Sequence, residues 1–284
     1  MAICSICPRR CGANRGDNIG YCGVGEEIKL SKYMLHLWEE PCIENDKGAG
    51  CVFFAGCNLR CVYCQNYEIS HNCKGEYITT ERLAEIFCEL ENAGAYCIDL
   101  VNPTHYIEKI ESALNIYKPS IPVVWNSSGF EGEEILTAAA KFTDIFLMDF
   151  KYMSPERAKK YSNAENYPEI AKNALDIIYK THGECEFIGD KMKRGIIVRH
   201  LLLPQGTRDA ISVFDFVYNN YPNVWFSLMA QYIPVYKASQ FKEINRKITK
   251  REYNKVVDYI LATGFENCFI QELSSATDKY IPKF

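Results

Sequence analysis

Cys57-Asn58-Leu59-Arg60-Cys61-Val62-Tyr63-Cys64 is the stretch that decides how this chain is read. Three cysteines fall within eight residues, spaced C-x3-C-x2-C. The run before it, Gly50-Cys51-Val52-Phe53-Phe54-Ala55-Gly56, is apolar and ends in glycine. That is the pattern of a buried strand entering a loop. Three thiols therefore sit on a tight loop at the C-terminal end of a strand. Structural zinc sites close with four ligands, and a 4Fe–4S cluster held by protein alone takes four cysteines. Three protein ligands leave one position open, and an open position marks a reactive site. The competing reading is a zinc knuckle or a chance cluster.

Working outward, the pattern alternates between strand and helix. A first strand at about 50–55 is followed by a helix from Thr79 or Thr80, with Leu83, Ile86, Phe87 and Leu90 on one face. Further strands are expected at 97–101, 121–125, 144–149, 195–202 and 224–229. Helices are expected near 106–117, 131–141, 154–161, 167–181 and 209–219. A last helix opens at Thr249-Lys250-Arg251-Glu252, a capping-box pattern. Six strand–helix units in series imply parallel strands with right-handed crossovers. Six are too few to close an eight-fold barrel, so the expected fold is α/β, a partial (β/α)6 TIM-type barrel over 50–284. Barrel enzymes build their sites at the C-terminal strand ends.

Ahead of the barrel, residues 1–49 form a cysteine-rich segment and connector. Cys4, Cys7, Cys11 and Cys22 are spaced C-x2-C-x3-C-x10-C among turn residues. So short a segment needs a staple. Four thiolates suit zinc, a rubredoxin-like iron or a second iron–sulfur cluster. In the connector, Glu39 and Glu40 stand out, and a strand and turn covering the barrel mouth is the expected reading. The chain has 284 residues, 48% of them hydrophobic, and a net charge of −4, which gives no sign of a nucleic-acid surface. Fourteen cysteines, no secretory signal pattern and no membrane-length apolar run point to a cytoplasmic protein with metal-binding or reactive thiols.

The motif Cys57–Cys64, with Tyr63 just before its third cysteine, resembles the radical S-adenosylmethionine (radical SAM) superfamily. The resemblance implies that the cysteines hold a 4Fe–4S cluster and that SAM chelates the fourth iron. Reductive cleavage of SAM then gives a 5′-deoxyadenosyl radical that abstracts hydrogen. Asp149-Phe150-Lys151, Arg199 with Pro204, and Trp125-Asn126-Ser127-Ser128-Gly129-Phe130 look like the corresponding strand ends of the pyruvate formate-lyase activating enzymes, with Asn126 where those relatives carry Asp. By that likeness Tyr63, Asn102, Thr104, Asn126, Ser127, Asp149, Lys151 and Arg199 contact SAM. Asn102-Pro103-Thr104-His105 replaces the relatives' Gly-Gly-Glu-Pro-type turn and offers no carboxylate. Catalytic candidates are His105, which can titrate near neutral pH, and Gln231 and Tyr232 at the last strand end. Alternation predicts that only one of Arg199 and His200 faces inward. The implied activity is that of a glycyl-radical-enzyme activase, with flavodoxin or ferredoxin as reductant. A radical SAM enzyme acting on a small molecule or peptide, and a zinc or electron-transfer protein without SAM chemistry, are the alternatives.

Overall fold

The computed structural model describes residues 4–277, 282 and 284. Its strands and helices run β1 (Ile28–His36), β2 (Ala49–Phe54), α1 (Tyr67–Ser70), β3 (Glu76–Ile78), α2 (Thr80–Asn92), β4 (Ile98–Val101), α3 (Ile107–Ile116), β5 (Val123–Ser127), α4 (Glu133–Ala139), β6 (Ile145–Asp149), α5 (Pro155–Ser162), α6 (Tyr167–His182), β7 (Glu186–Ile188), β8 (Lys191–Leu201), α7 (Thr207–Asn220), β9 (Trp225–Met229), α8 (Lys250–Ala262) and β10 (Cys268–Ile270).

The strands are ordered β10-β9-β8-β6-β5-β4-β2-β1-β3, with β7 paired to β8. From β2 through β10 the neighbours on this path are parallel. The end strands β3 and β10 are not paired with each other, so this is an open, partial barrel. Continuous apolar runs such as Val123–Trp125 form its strands because both faces are buried, as parallel sheets require. The helices are fixed by their ends as well as their apolar faces. Thr79 Oγ1 accepts from Arg82 N at α2, and Thr249 and Glu252 complete a reciprocal capping box at α8.

Period-2 alternation sorts the side chains into two cores. Val52, Phe54, Leu100, Trp125, Phe146 and Val198 face the helices. Cys51, Phe53, Cys97, Val124, Leu147 and Ile197 face the barrel interior. One alternation step beyond Val124, Leu147 and Ile197 come Asn126, Asp149 and Arg199. The interior therefore turns from apolar to charged toward the C-terminal strand ends.

Three differences from the sequence reading bear on the site. The connector contains β1, nine residues long, running antiparallel to β2 with His36 opposite Ala49. The link that follows thus returns across the end where the parallel strands begin, and buries Cys42 and Ile43 there. It closes the end opposite the expected mouth. Next, β5 runs on to Ser127, so Asn126 and Ser127 lie in the strand rather than in a turn. Finally, Cys268–Ile270 adds a short parallel strand on β9, and β7 forms a hairpin with β8 that the periodicity did not reveal.

Candidate active site

The loop after β2 is held from several directions. Gly56, at φ +87°, makes the turn, and a Cβ there would lie 2.9 Å from Cys22 O and Val24 Cγ1. Gly56 N donates to Ile69 O at 2.8 Å and Cys57 N to Cys22 O at 3.0 Å. Val62 N donates to Tyr161 O at 2.8 Å, and Lys237 N to Val62 O at 2.9 Å. Tyr63 is buried, with its hydroxyl 2.6 Å from that of Tyr152.

Each thiol of the loop accepts a hydrogen bond. Leu59 N donates to Cys57 Sγ at 3.4 Å, Ser162 Oγ to Cys61 Sγ at 3.0 Å, and Ser70 Oγ to Cys64 Sγ at 3.2 Å. Burial raises all three thiols above the usual range, and the positive charge of Lys151 opposes that rise at each. Sulfurs that accept hydrogen bonds beside a cation suit thiolates bound to a metal cluster. The residues present therefore fit a three-cysteine cluster site.

These thiols line a cavity of about 250 Å³ at the C-terminal strand ends, together with Asn102, Asn126, Ser127, Asp149, Lys151 and Arg199. The charged residues form one chain. Lys151 Nζ donates to Asp149 Oδ2 at 2.6 Å, and Arg199 Nε to Asp149 Oδ1 at 3.0 Å. Arg199 Nη2 donates to Asn126 Oδ1 at 2.6 Å, and Nη1 reaches Glu39 Oε2 at 3.3 Å. Asn126 Nδ2 passes the chain on to Asp99 Oδ2 at 3.1 Å, where the Cys51 thiol also donates at 3.3 Å.

The acids in this chain behave differently. Burial alone would raise the Asp149 carboxyl, but Lys151 and Arg199 outweigh it and hold Asp149 below the ordinary carboxylate range. Burial and the charge of Asp99 push Glu39 well above that range, against the pull of Arg199. Burial raises Asp99 as well, with the Asn126 amide opposing it. Asp149 is thus the ionised acid, while Glu39 and Asp99 compete for a proton. Asp99 Oδ1 is buried without a partner, and Glu39, Cys51 and Asp99 bring donor atoms within 4.8 Å of one another.

Other expected residues fall elsewhere. Thr104 is buried outside this cavity and donates to Glu131 Oε1 at 2.7 Å. Glu131 also accepts from Trp125 Nε1 at 2.9 Å and from Ser127 Oγ. His105 is not a neutral-pH titrating group: burial lowers it to about 4, and its Nε2 lies 2.8 Å from Ala55 O. Tyr232 packs edge-on against Tyr63 and donates to Ile244 O at 2.7 Å, as a core residue. Gln231 does line the cavity, and its carbonyl accepts from Gln65 Nε2 at 3.2 Å. Asn102, at φ +60°, lines it too, and its amide donates to Gly56 O. Arg199 faces the cavity, whereas His200 faces away, with Nδ1 2.7 Å from Phe150 O.

Asp99 and Cys51, packed behind the cavity against Glu39, were not singled out in the sequence, and Glu39 was read there only as part of a connector over the barrel mouth. The signal for Asp99 was present: a carboxylate inside Cys97-Ile98-Asp99-Leu100-Val101, in register with inward-facing Cys97. Glu39 carried no comparable signal, because its reach into the barrel depends on where the link after β1 crosses.

The family model of the radical SAM superfamily matches residues 51–189. An uncharacterized protein of Methanocaldococcus jannaschii is 30% identical over 265 residues, covering 90% of this chain and 73% of that protein. Among solved structures, Streptococcus suis SuiB bound to S-adenosylmethionine matches with a TM-score of 0.52 at 14% identity, over 78% of this chain and 49% of that one. The anSMEcpe structure with bound AdoMet gives 0.50 at 14% identity, over 74% of this chain and 57% of that one. Methylornithine synthase (PylB) gives 0.50 at 13% identity, over 75% and 60%. The chain therefore spans between half and three-fifths of the length of these solved structures, and the likeness to them is one of fold.

Proposed function

Because the chain belongs to the radical SAM superfamily, we propose that it cleaves S-adenosylmethionine reductively and uses the resulting 5′-deoxyadenosyl radical to take a hydrogen atom from a target. The observation that carries this is the convergence of Cys57, Cys61 and Cys64 with Asp149, Lys151 and Arg199 on one cavity. Cys57, Cys61 and Cys64 would hold a 4Fe–4S cluster, which would supply the electron, with Asp149, Lys151 and Arg199 placed to hold the amino-acid end of SAM beside it.

The chain's own residues bind and orient. Asp149 is ionised between two cations, which suits an ammonium group. Lys151 and Arg199 present N–H donors to a carboxylate, Arg199 in a fixed planar fork. Asn126 holds Arg199 from one side and Glu39 from another, so the guanidinium is pre-oriented before SAM arrives. Burial raises both Glu39 and Asp99 beneath it, which favours their neutral forms and limits the negative charge buried under the site. Tyr63, Tyr152, Tyr161 and Tyr232 pack beside the loop and keep water from its inner side.

The finer reading is an activase-like one: the target is a glycine in a partner enzyme, and flavodoxin or ferredoxin delivers the electron. The Asp149-Phe150-Lys151 pattern supports it.

Anaerobically reconstituted protein, reduced with dithionite, should convert SAM to 5′-deoxyadenosine. SAM left intact beside a reduced cluster would overturn the enzyme reading in favour of electron transfer. A glycyl-radical EPR doublet in an added partner is the expected second result. Deuterium carried into deoxyadenosine from a labelled metabolite would replace the activase reading with small-molecule chemistry.

A further inference from the structure

A second set of thiols lies outside this cavity. Cys4, Cys7, Cys11 and Cys22 are free and line a separate, small cavity against Asn58, Thr104 and His105. Residues 4–27 around them contain no helix or strand. Turn bonds hold them instead, such as Cys4 N to Ala13 O at 2.9 Å and Arg10 N to Cys7 O at 2.9 Å. With so little buried apolar surface, such a segment keeps one conformation only with a cross-link or an ion.

We propose that these four cysteines bind a single thiophilic metal ion, and that the ion braces the loop carrying Cys57, Cys61 and Cys64. The cavity measures about 10 Å³, the space of one small sphere. Gly20 leaves this space open: a Cβ there would lie 3.3 Å from Cys22 Sγ and 3.5 Å from Cys11 Sγ. Arg15 lines the same cavity and keeps a buried Nε–H without a partner, which suits a centre with net negative charge. Among the described residues no three of the four sulfurs lie within 4.8 Å of one another. A tetrahedral tetrathiolate ion spaces its sulfurs roughly 3.8 Å apart. Binding therefore draws them inward, the exposed Cys11 among them.

The bracing runs through named bonds. Cys22 O accepts from Cys57 N at 3.0 Å. Arg9, two residues after Cys7, donates from Nε to Asn58 O at 2.8 Å and from Nη2 to Ser162 O at 2.8 Å. Ser162 in turn donates to Cys61 Sγ. Ordering the first segment thus fixes both sides of the second.

Zinc and a rubredoxin-type iron share this ligand chemistry, and metal analysis separates them. The bracing clause rests on the cluster reading above, whereas the ion does not. Anaerobic protein should carry one ion per chain beyond the cluster, either zinc, or iron with thiolate-to-iron absorption and no added sulfide. A Cys57/Cys61/Cys64→Ala variant should keep that ion, which separates a failure here from a failure of the cluster reading. Cys11→Ser and Cys7→Ser should lose it, and their 4Fe–4S absorbance should bleach at least several-fold faster under a chelator. Cys11 is exposed, so its variant tests the site even if Cys7→Ser fails to fold. Wild type with no metal beyond one cluster, or with a second full complement of iron and sulfide, would overturn the proposal. An unchanged bleaching rate in an ion-free Cys11→Ser protein would overturn the bracing.

Discussion

Two groups of thiols, joined by a backbone hydrogen bond from Cys57 to Cys22 and by the Arg9 side chain, differ in number and in the space around them. The first has four thiols around a cavity of about 10 Å³. The second has three thiols at the edge of a cavity of about 250 Å³, ringed by Asp149, Lys151 and Arg199. A complete ligand set with no spare volume makes a closed, structural site; an incomplete set beside charged groups makes a site that a cosubstrate finishes. Ligand number and enclosed volume agree at both places, and that agreement is the physical basis for assigning different roles to similar residues.

The strongest way to break the contrast is to empty the open site. Cys57/Cys61/Cys64→Ala should lose the cluster iron and all deoxyadenosine formation, as read by metal analysis and chromatography; activity above background would end the assignment. Next comes the charged rim. Arg199→Met leaves Asp149, Asn126 and Glu39 without their shared donor. Removing one side of a buried charged contact to a ligand costs about 2–5 kcal/mol of binding, so the KM for SAM should rise on the order of 100-fold with the cluster signal intact. A KM near that of wild type would show that Arg199 only supports the barrel.

A smaller effect tests the connection between the sites. Arg9→Ala removes donors to the carbonyls of Asn58, Ser162 and Asn163. At about 1 kcal/mol for each of these three bonds, a loss of about 3 kcal/mol in chemical denaturation is expected, with faster loss of the cluster. Unchanged cluster lifetime would separate the two sites.

The smallest effect sharpens the electrostatics of the open site. Glu39 and Asp99 titrate above the usual carboxylate range in the folded protein. The folded state therefore holds more protons than the unfolded one above the ordinary carboxylate values. Stability is full below those values and declines as pH rises toward the folded ones. One such proton corresponds to a slope of about 1.4 kcal/mol per pH unit. Glu39→Gln should flatten that decline in metal-free protein; a slope identical to wild type would remove the shared proton.

Most of the scaffold was legible because it is written in local periodicity. The runs at 144–149 and 224–229 gave β6 and β9 almost to the residue, and Thr249 with Glu252 gave the start of α8. The hairpin strand β7 was not legible, since Glu186–Ile188 is too short and too exposed to show alternation. The site was legible where chemistry is local, at the cysteine loop and at Asp149–Lys151. It failed at His105 and Tyr232, whose sequence neighbours place them at strand ends while their side chains turn away into the protein. His105 bonds to Ala55, fifty positions earlier in the chain.

By itself, then, the sequence determined the number and spacing of the cysteines in each group, the order of strands and helices, and which end of the barrel carries charge. Those follow from spacing, from the periods of two and 3.6 residues, and from residue type. Tertiary structure alone decided that the link after β1 carries Glu39 to Arg199, that Asp99 and Glu39 contend for one proton, and that Cys22 touches the loop of Cys57. Such facts depend on which distant segments the packing brings together, and on how much room remains between them once it has.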